Sequence, residues 1–151
     1  MDINKSQPIL YTIGFGKKSA KVFFSLLRTN KINKLIDVRL NNVSQLAGFT
    51  KKNDLVFFLE ELCQCKYEHK PDWAPTKALL DRYKSKITSW NEYEIEFFKI
   101  IKNRNIIANI ELSSIVNSCL LCSEPTPEQC HRRLLAEQIR VRYPNIKIVH
   151  L

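Results

Sequence analysis

The sequence predicts an α/β fold: a Rossmann-like three-layer sandwich with a mostly parallel central sheet of about five strands. Three observations carry that expectation. Short apolar runs alternate along the chain with stretches whose apolar residues recur at helical spacing. The first two runs enclose one helix within roughly 30 residues, the length of a strand–helix–strand crossover. The 151 residues, 44% hydrophobic and 26% charged, suit one domain with a real core, and no repeat, linker or low-complexity tract divides them.

The elements follow in order. Ile9 to Ile13 reads as a buried strand that stops at Gly14-Phe15-Gly16, which holds two of the three glycines. Ser19 is placed to cap a helix over 20–30, with Val22, Phe23, Leu26 and Leu27 inward. Leu35 to Val38 is a second strand, expected to lie parallel to the first. Leu40 to Thr50, with Asn41, Asn42, Ser44, Gln45 and Gly48, has little periodicity and reads as a surface loop. A helix over 53–64 turns Leu55, Phe58, Leu59 and Leu62 inward, and Lys66 to His69 is a short strand ended by Pro71. A short helix is expected near 76–84, and Ser89 with Glu92 forms a capping box for a helix reaching Asn103. Residues 104–117 read as helix and turn, then Cys119 to Cys122 as a central strand. Thr126-Pro127-Glu128-Gln129 reads as a second capping box, opening a helix to Arg142 with Leu134, Leu135 and Ile139 inward. Ile146 to Val149 is the last strand.

Composition narrows the classes. No apolar run nears the roughly 20 residues that span a bilayer, and the start, MDINKSQP, carries no secretory signal, so a cytoplasmic address is expected. Five cysteines, in that compartment, are expected to be reduced thiols. The net charge of +9 is uneven: residues 1–52 hold ten Lys/Arg against only Asp2 and Asp37. Such an excess suits a polyanion, and a nucleic acid or a phosphorylated small molecule is the expected partner class. The competing reading is that Lys17, Lys18, Lys21, Arg28, Lys31 and Lys34 only solvate one helix and its ends.

In a parallel sheet the strand carboxyl ends share one edge, where ligands bind. The sequence places Gly14 and Gly16, Asp37 and Arg39, His69, Ser123 and Glu124, Cys130, His131 and Arg132, and His150 on that edge. Asp37, Glu124, Cys130 and His131 are the candidate catalytic residues. Gly14, Gly16, Arg39 and Arg132 are the candidate anion-binding residues, and His69, Ser123 and His150 line the expected pocket. With Thr126 as cap, Cys130 would lie in a first helical turn, where the dipole and a nearby Arg132 or protonated His131 favour a thiolate. The alternative is a small apolar residue packing helix to sheet.

Cofactor motifs fail on inspection, and no cofactor or metal is expected. Gly14-x-Gly16 has Ser19 where a dinucleotide fingerprint needs its third glycine. Cys119 and Cys122, three apart on a strand, point to opposite faces and cannot share one ion. Asp37 and Arg39, two apart on a strand, share a face and are able simply to pair.

Tyr11-Thr12-Ile13-Gly14, Leu35-Ile36-Asp37-Val38-Arg39, Tyr67-x-His69, Leu121-Cys122-Ser123-Glu124-x5-Cys130-His131-Arg132 and Val149-His150 occur in that order. Over nearly its whole length the chain resembles the domain-of-unknown-function family 488, also called YeaO-like. The resemblance implies a compact three-layer α/β fold with these motifs around one pocket, and it implies no particular reaction. Typical members carry a proline and a Ser-Arg pair after the Asp-Val-Arg strand and a second glycine-rich stretch near the third strand. Here Asn41 to Phe49 and Pro71 to Thr76 stand there instead, a departure that bears on substrate choice.

Three functional readings are left. The first is an enzyme acting on a phosphate-bearing substrate, with Cys130 as nucleophile or Glu124 as base and Arg39 and Arg132 on the anion. The second is a non-catalytic nucleic-acid- or nucleotide-binding module, with Trp73, Tyr67 or Phe49 stacking bases. The third makes Asp37–Arg39 and Glu124–Arg132 structural ion pairs and Cys130 core.

Overall fold

The computed structural model describes residues 6–43 and 47–151; Asp2, and Ser44 and Gln45 of the expected loop, lie outside them. The chain forms β1 (Ile9–Gly14), α1 (Ala20–Thr29) and β2 (Lys34–Asp37), then α2 (Lys52–Phe58), which runs on into a π turn over Leu59–Cys63. Next come β3 (Lys66–His69), α3 (Lys77–Lys84), α4 (Trp90–Asn103) and the one-turn α5 (Leu112–Ile115). β4 (Ser118–Cys122), α6 (His131–Arg142) and β5 (Lys147–His150) complete it. All five strands are parallel, in the order β3-β2-β4-β1-β5.

The side-chain period of two along each strand divides the core. Tyr11, Ile13, Leu35, Cys119 and Leu121 pack with Phe23, Phe24 and Leu27 of α1 and Leu55 of α2. Leu10, Ile36, Val38 and Leu120 pack on the other face, with Leu79 of α3, Tyr93 and Phe97 of α4, and Leu134, Leu135 and Ile139 of α6. The chain travels one way along the sheet from β1 to β3 and the other way from β4 to β5, so crossovers of one hand place their helices on opposite faces.

Capping fixes the helix starts. The Ser19 and Thr76 hydroxyls accept from the N–H groups of Val22 and Leu79. The Ser89–Glu92 box closes in both directions at 3.2 and 2.9 Å.

Several expectations need correction. β1 and β2 are parallel but not neighbours, because β4 pairs with both. On α1 the inward set is Phe23, Phe24 and Leu27, while Val22 is 47% exposed; at the end of the π turn Leu62 is 45% exposed. The π turn inserts a residue into the helical repeat and rotates Leu62 off the buried stripe. The last helix does not start at Thr126. It starts at His131 with Cys130 as N-cap, and Cys130 makes no side-chain capping bond.

Residues 123–129 are held as a loop by other bonds. Arg133 donates from Nε to the carbonyls of Pro127 and Glu128 at 3.1 and 3.2 Å, and from Nη2 to Glu128 at 2.8 Å. Arg132 Nη1 donates to the Glu124 carbonyl at 2.9 Å.

Candidate functional site

β1 and β4 lie side by side, yet the chain leaves β1 toward α1 on one face and β4 toward α6 on the other. This is the switch point at which open α/β sheets hold ligands. The backbone closes in here: Phe15 and Gly16 donate their N–H groups to the carbonyls of Cys122 and Ser123, at 3.3 and 2.9 Å. A Cβ built on Gly14 would stand 1.5 Å from the Glu124 carbonyl oxygen, and one on Gly16 would stand 2.7 Å from the Ser123 oxygen. Both glycines therefore serve the close approach of loop 123–125, and the Gly16 N–H is engaged by the chain itself.

Behind that loop, on the α4–α6 side, lies a sulfur-centred cluster. Cys122 ends β4, and its Sγ is 3.6 Å from His131 Nδ1. His131 Nε2 donates to the Val38 carbonyl at 2.7 Å, which turns Nδ1 toward the sulfur. Cys122, Cys130 and His131 are all buried, with their donor atoms within 4.8 Å of one another. Arg132 Nη1 donates to Cys130 Sγ at 3.2 Å. Its Nε donates to Thr12 Oγ1 at 3.3 Å, and Thr12 in turn bonds His150 Nδ1 at 2.6 Å.

The electrostatics single out Cys122. The neighbouring Cys130 above all, and also the adjacent His131, lower the Cys122 thiol well below the usual range, against the opposing effect of burial. The neighbouring Cys122, then burial, raise the Cys130 thiol. Burial alone would depress His131, but the Cys122 charge and hydrogen bond, with the Val38 carbonyl, outweigh it and raise its pKa. Cys122 Sγ thus faces the His131 ring, and Arg132 donates to the neighbouring Cys130 sulfur. Arg132 is wholly buried, none of its bonds reaches a carboxylate, and among the described residues its Nη2 has no partner. A buried guanidinium without a carboxylate beside it is a charge that a bound anion would relieve. Nearby Lys18 has its pKa lowered by burial and then by Arg132, and the same two causes lower His150.

Asp37 and Arg39 form a second, separate group on the α1–α2 side. The Asp37 carboxylate accepts from Arg39 Nε at 2.9 Å, Arg39 Nη2 at 2.8 Å, the Arg39 backbone N–H at 3.1 Å and the Tyr67 hydroxyl at 2.6 Å. Arg39 Nη2 also donates to the Thr50 carbonyl at 2.7 Å, and its guanidinium lies over the Phe15 ring. Asp37 is fully buried and Arg39 is 5% exposed. His69 Nε2 meets the Arg39 carbonyl at 2.8 Å. This clamp ties the end of β2 to β3 and to the loop before α2.

Of the residues expected at the edge, the structure gathers Cys130, His131, Arg132 and His150 around Cys122 and Thr12, with Ser123 beside them. Asp37, Arg39 and His69 belong to the other face. Glu124 is exposed; Arg132 reaches its backbone carbonyl, and among the described residues its carboxylate makes no hydrogen bond or ion pair. The helix start that would put Cys130 in a first helical turn is not there. Cys122, which is not among the expected site residues, joins the cluster from the carboxyl end of a fully buried strand.

Cys119 packs in the α1–α2 core, on the opposite face from Cys122, as strand parity requires. Cys122, Cys130 and His131 could offer three donors to a soft ion. A closed structural zinc site needs four, and a guanidinium stands against one of these sulfurs, so the cluster is better described as a buried thiol pair beside a cation.

The remaining buried thiols make a pH prediction. Burial pushes Cys65 from 9.0 up to about 12 and lifts Cys119 well above the same value. The unfolded chain loses these protons first, so stability is unaffected below that ordinary value and falls as pH rises past it. Cys65 alone should cost about 1.4 kcal/mol at pH 10. Urea midpoints at pH 8 and pH 10 check this: Cys65→Ala should lose less stability across the interval than the parent chain.

A family model described as a domain of unknown function, DUF488, matches residues 19–139. That span runs from the α1 cap into α6; it holds Asp37, Arg39, Cys122, Cys130, His131 and Arg132 and leaves out β1 and β5. No curated protein matches the chain, and no solved structure does. No described helix is long and apolar enough to cross a membrane.

Proposed function

The chain belongs to the DUF488 family, and from that premise we propose that it is a thiol enzyme acting on a phosphate-bearing substrate, a nucleotide or nucleic acid, at the β1–β4 crevice. The observation that carries this reading is the Cys122–His131 pair with Cys130 and Arg132 around it. Cys122 Sγ is the nucleophile. Its bond to the electrophilic centre forms as the bond to the leaving group breaks, and the leaving group takes the Nδ1 proton of His131. His131, then neutral, is the base for the water that releases the product. Arg132, through its free Nη2, and Lys18 hold the substrate anion. Cys130 is a positioning residue that keeps the charge on Cys122.

Alkylation by iodoacetate and by uncharged iodoacetamide, followed by mass spectrometry across pH, tests this. Cys122 should react at pH 6–7, well below the usual thiol range near 8.5, and should prefer the anionic reagent. Cys65 and Cys119 should stay unlabelled. A Cys122 that labels only above the ordinary thiol pKa, or not at all in the native chain, would sink the proposal.

One observation favours the non-catalytic module as a second reading. A cavity of about 260 Å³ on the α1–α2 side has Phe24, Phe49 and Phe58 in its lining, with Lys21 and Arg28 among the same residues. That combination suits a base and its phosphate. In this reading, nucleic-acid affinity falls steeply with salt and is unchanged by Cys122→Ser.

A further inference from the structure

We propose that Cys122 and Cys130 together form a two-thiol redox centre that reduces a small hydroperoxide and closes to an intramolecular disulfide. The inference rests on the Cys122 thiolate of the proposed function and adds a second activity and a second substrate class to it.

Five features of the cluster support it. The two sulfurs and His131 lie within one sphere of donor atoms, 4.8 Å at most from one another, and both cysteines are free thiols. His131 Nδ1 faces the Cys122 sulfur and Arg132 Nη1 faces the Cys130 sulfur, so the two thiols stand in different surroundings, with Cys122 the more readily ionised. Cys122 is 4% and Cys130 2% exposed, and a hydroperoxide of two heavy atoms, a two-electron oxidant for sulfur, is small enough to suit so enclosed a pair. The Arg132 guanidinium, with one nitrogen on Cys130 and Nη2 unpartnered among the described residues, is placed to donate to a peroxide oxygen. The segment from Ser123 to Gln129 that joins the two cysteines lies outside any helix or strand, so it can yield to the shift that an S–S bond of about 2.05 Å requires.

The chemistry balances. Cys122 thiolate attacks the distal peroxide oxygen; the S–O bond forms, the O–O bond breaks, and the departing hydroxide takes the proton of imidazolium His131 to become water. Cys130 then attacks the sulfenic sulfur of Cys122. The S–S bond forms, the S–O bond breaks, and hydroxide leaves with the Cys130 proton as a second water. The two sulfurs have together given up two electrons, hydrogen peroxide has become two waters, and His131 is neutral.

Other thiols do not share this arrangement. Cys63 donates only to the Phe24 carbonyl, and burial raises its pKa. It is the internal standard for a non-activated, partly accessible cysteine.

The test is stoichiometric hydrogen peroxide added to the full chain at pH 7, quenched in time and mapped by non-reducing peptide mass spectrometry. The expected product is a Cys122–Cys130 disulfide, formed at least about tenfold faster than oxidation at Cys63, in keeping with thiolate-controlled reactivity. In Cys130→Ser the same treatment should leave a Cys122 sulfenic acid that dimedone traps, and in Cys122→Ser the fast phase should vanish. If Cys122 labels rapidly with iodoacetate but peroxide leaves both cysteines as thiols, this inference falls and the thiolate reading stands. If Cys122 neither labels nor oxidises ahead of Cys63, both fall.

Discussion

Asp37→Asn should lower the stability of the fold by about 3–5 kcal/mol, the usual consequence of removing one partner from a buried ion pair. The carboxylate accepts four hydrogen bonds and is fully buried. An amide in its place keeps one acceptor oxygen and turns an NH2 toward the Arg39 and Tyr67 donors. The Arg39 guanidinium is then charged, buried and uncompensated, its Nη1 having no partner among the described residues. For a chain of this length the loss corresponds to a melting temperature lower by roughly 10 °C. The double variant Asp37→Leu, Arg39→Met should recover most of it, because removing both charges removes the desolvation penalty along with the attraction. Urea denaturation of the parent chain, Asp37→Asn and the double variant decides the matter. A single variant within about 0.5 kcal/mol of the parent, as at an ordinary surface site, would show that the clamp contributes nothing to the fold.

Gly14→Ala is the second large effect, and its cause is a collision. The new methyl would overlap the Glu124 carbonyl at 1.5 Å and come within 3.0 Å of Arg132 Nη1. The obstacle is backbone, so relief requires loop 123–125 to lift, breaking the 2.9 Å bond from Arg132 to that carbonyl. Overpacking together with the loss of a charged donor's acceptor should cost about 3–5 kcal/mol. Gly48→Ala is the control: a Cβ there meets nothing within 4 Å. It should stay within about 0.5 kcal/mol of the parent in thermal or urea unfolding. Equal stabilities for the two alanine variants would mean that the close approach of β1 to loop 123–125 is not what the fold requires of Gly14.

Much of this architecture is legible before any coordinates. The strands are local patterns bounded by breakers, and all five lie within a residue of where their apolar runs put them. The helices with a strong cap, at Ser19, Thr76 and Ser89, start where the cap says. What a sequence conceals is non-local. Nothing near residues 9–38 announces that β4, some eighty residues later, will wedge between β1 and β2. Thr126 carries the signs of a cap and fails as one, because Arg133 takes the carbonyls that the first helical turn would have used. The edge that carries the candidate site was likewise readable, since parallel strands must share it. Its division into two groups was not. That division depends on strand parity at Asp37 and Cys122 together with the order of strands in the sheet. The first is visible in a sequence and the second is not.

Val38 joins the two groups. Its amide lies between Asp37 and Arg39, it donates its N–H to the Leu121 carbonyl, and its own carbonyl receives the His131 Nε2 proton. The Arg39 N–H held by Asp37 and the Val38 carbonyl held by His131 belong to one peptide plane. A change in the clamp would tilt that carbonyl, and with it the ring that faces Cys122 on the far side of the sheet. The Asp-x-Arg and the Cys-His-Arg segments, far apart along the chain, are in that sense two ends of one lever, with the Val38–Arg39 peptide as its fulcrum.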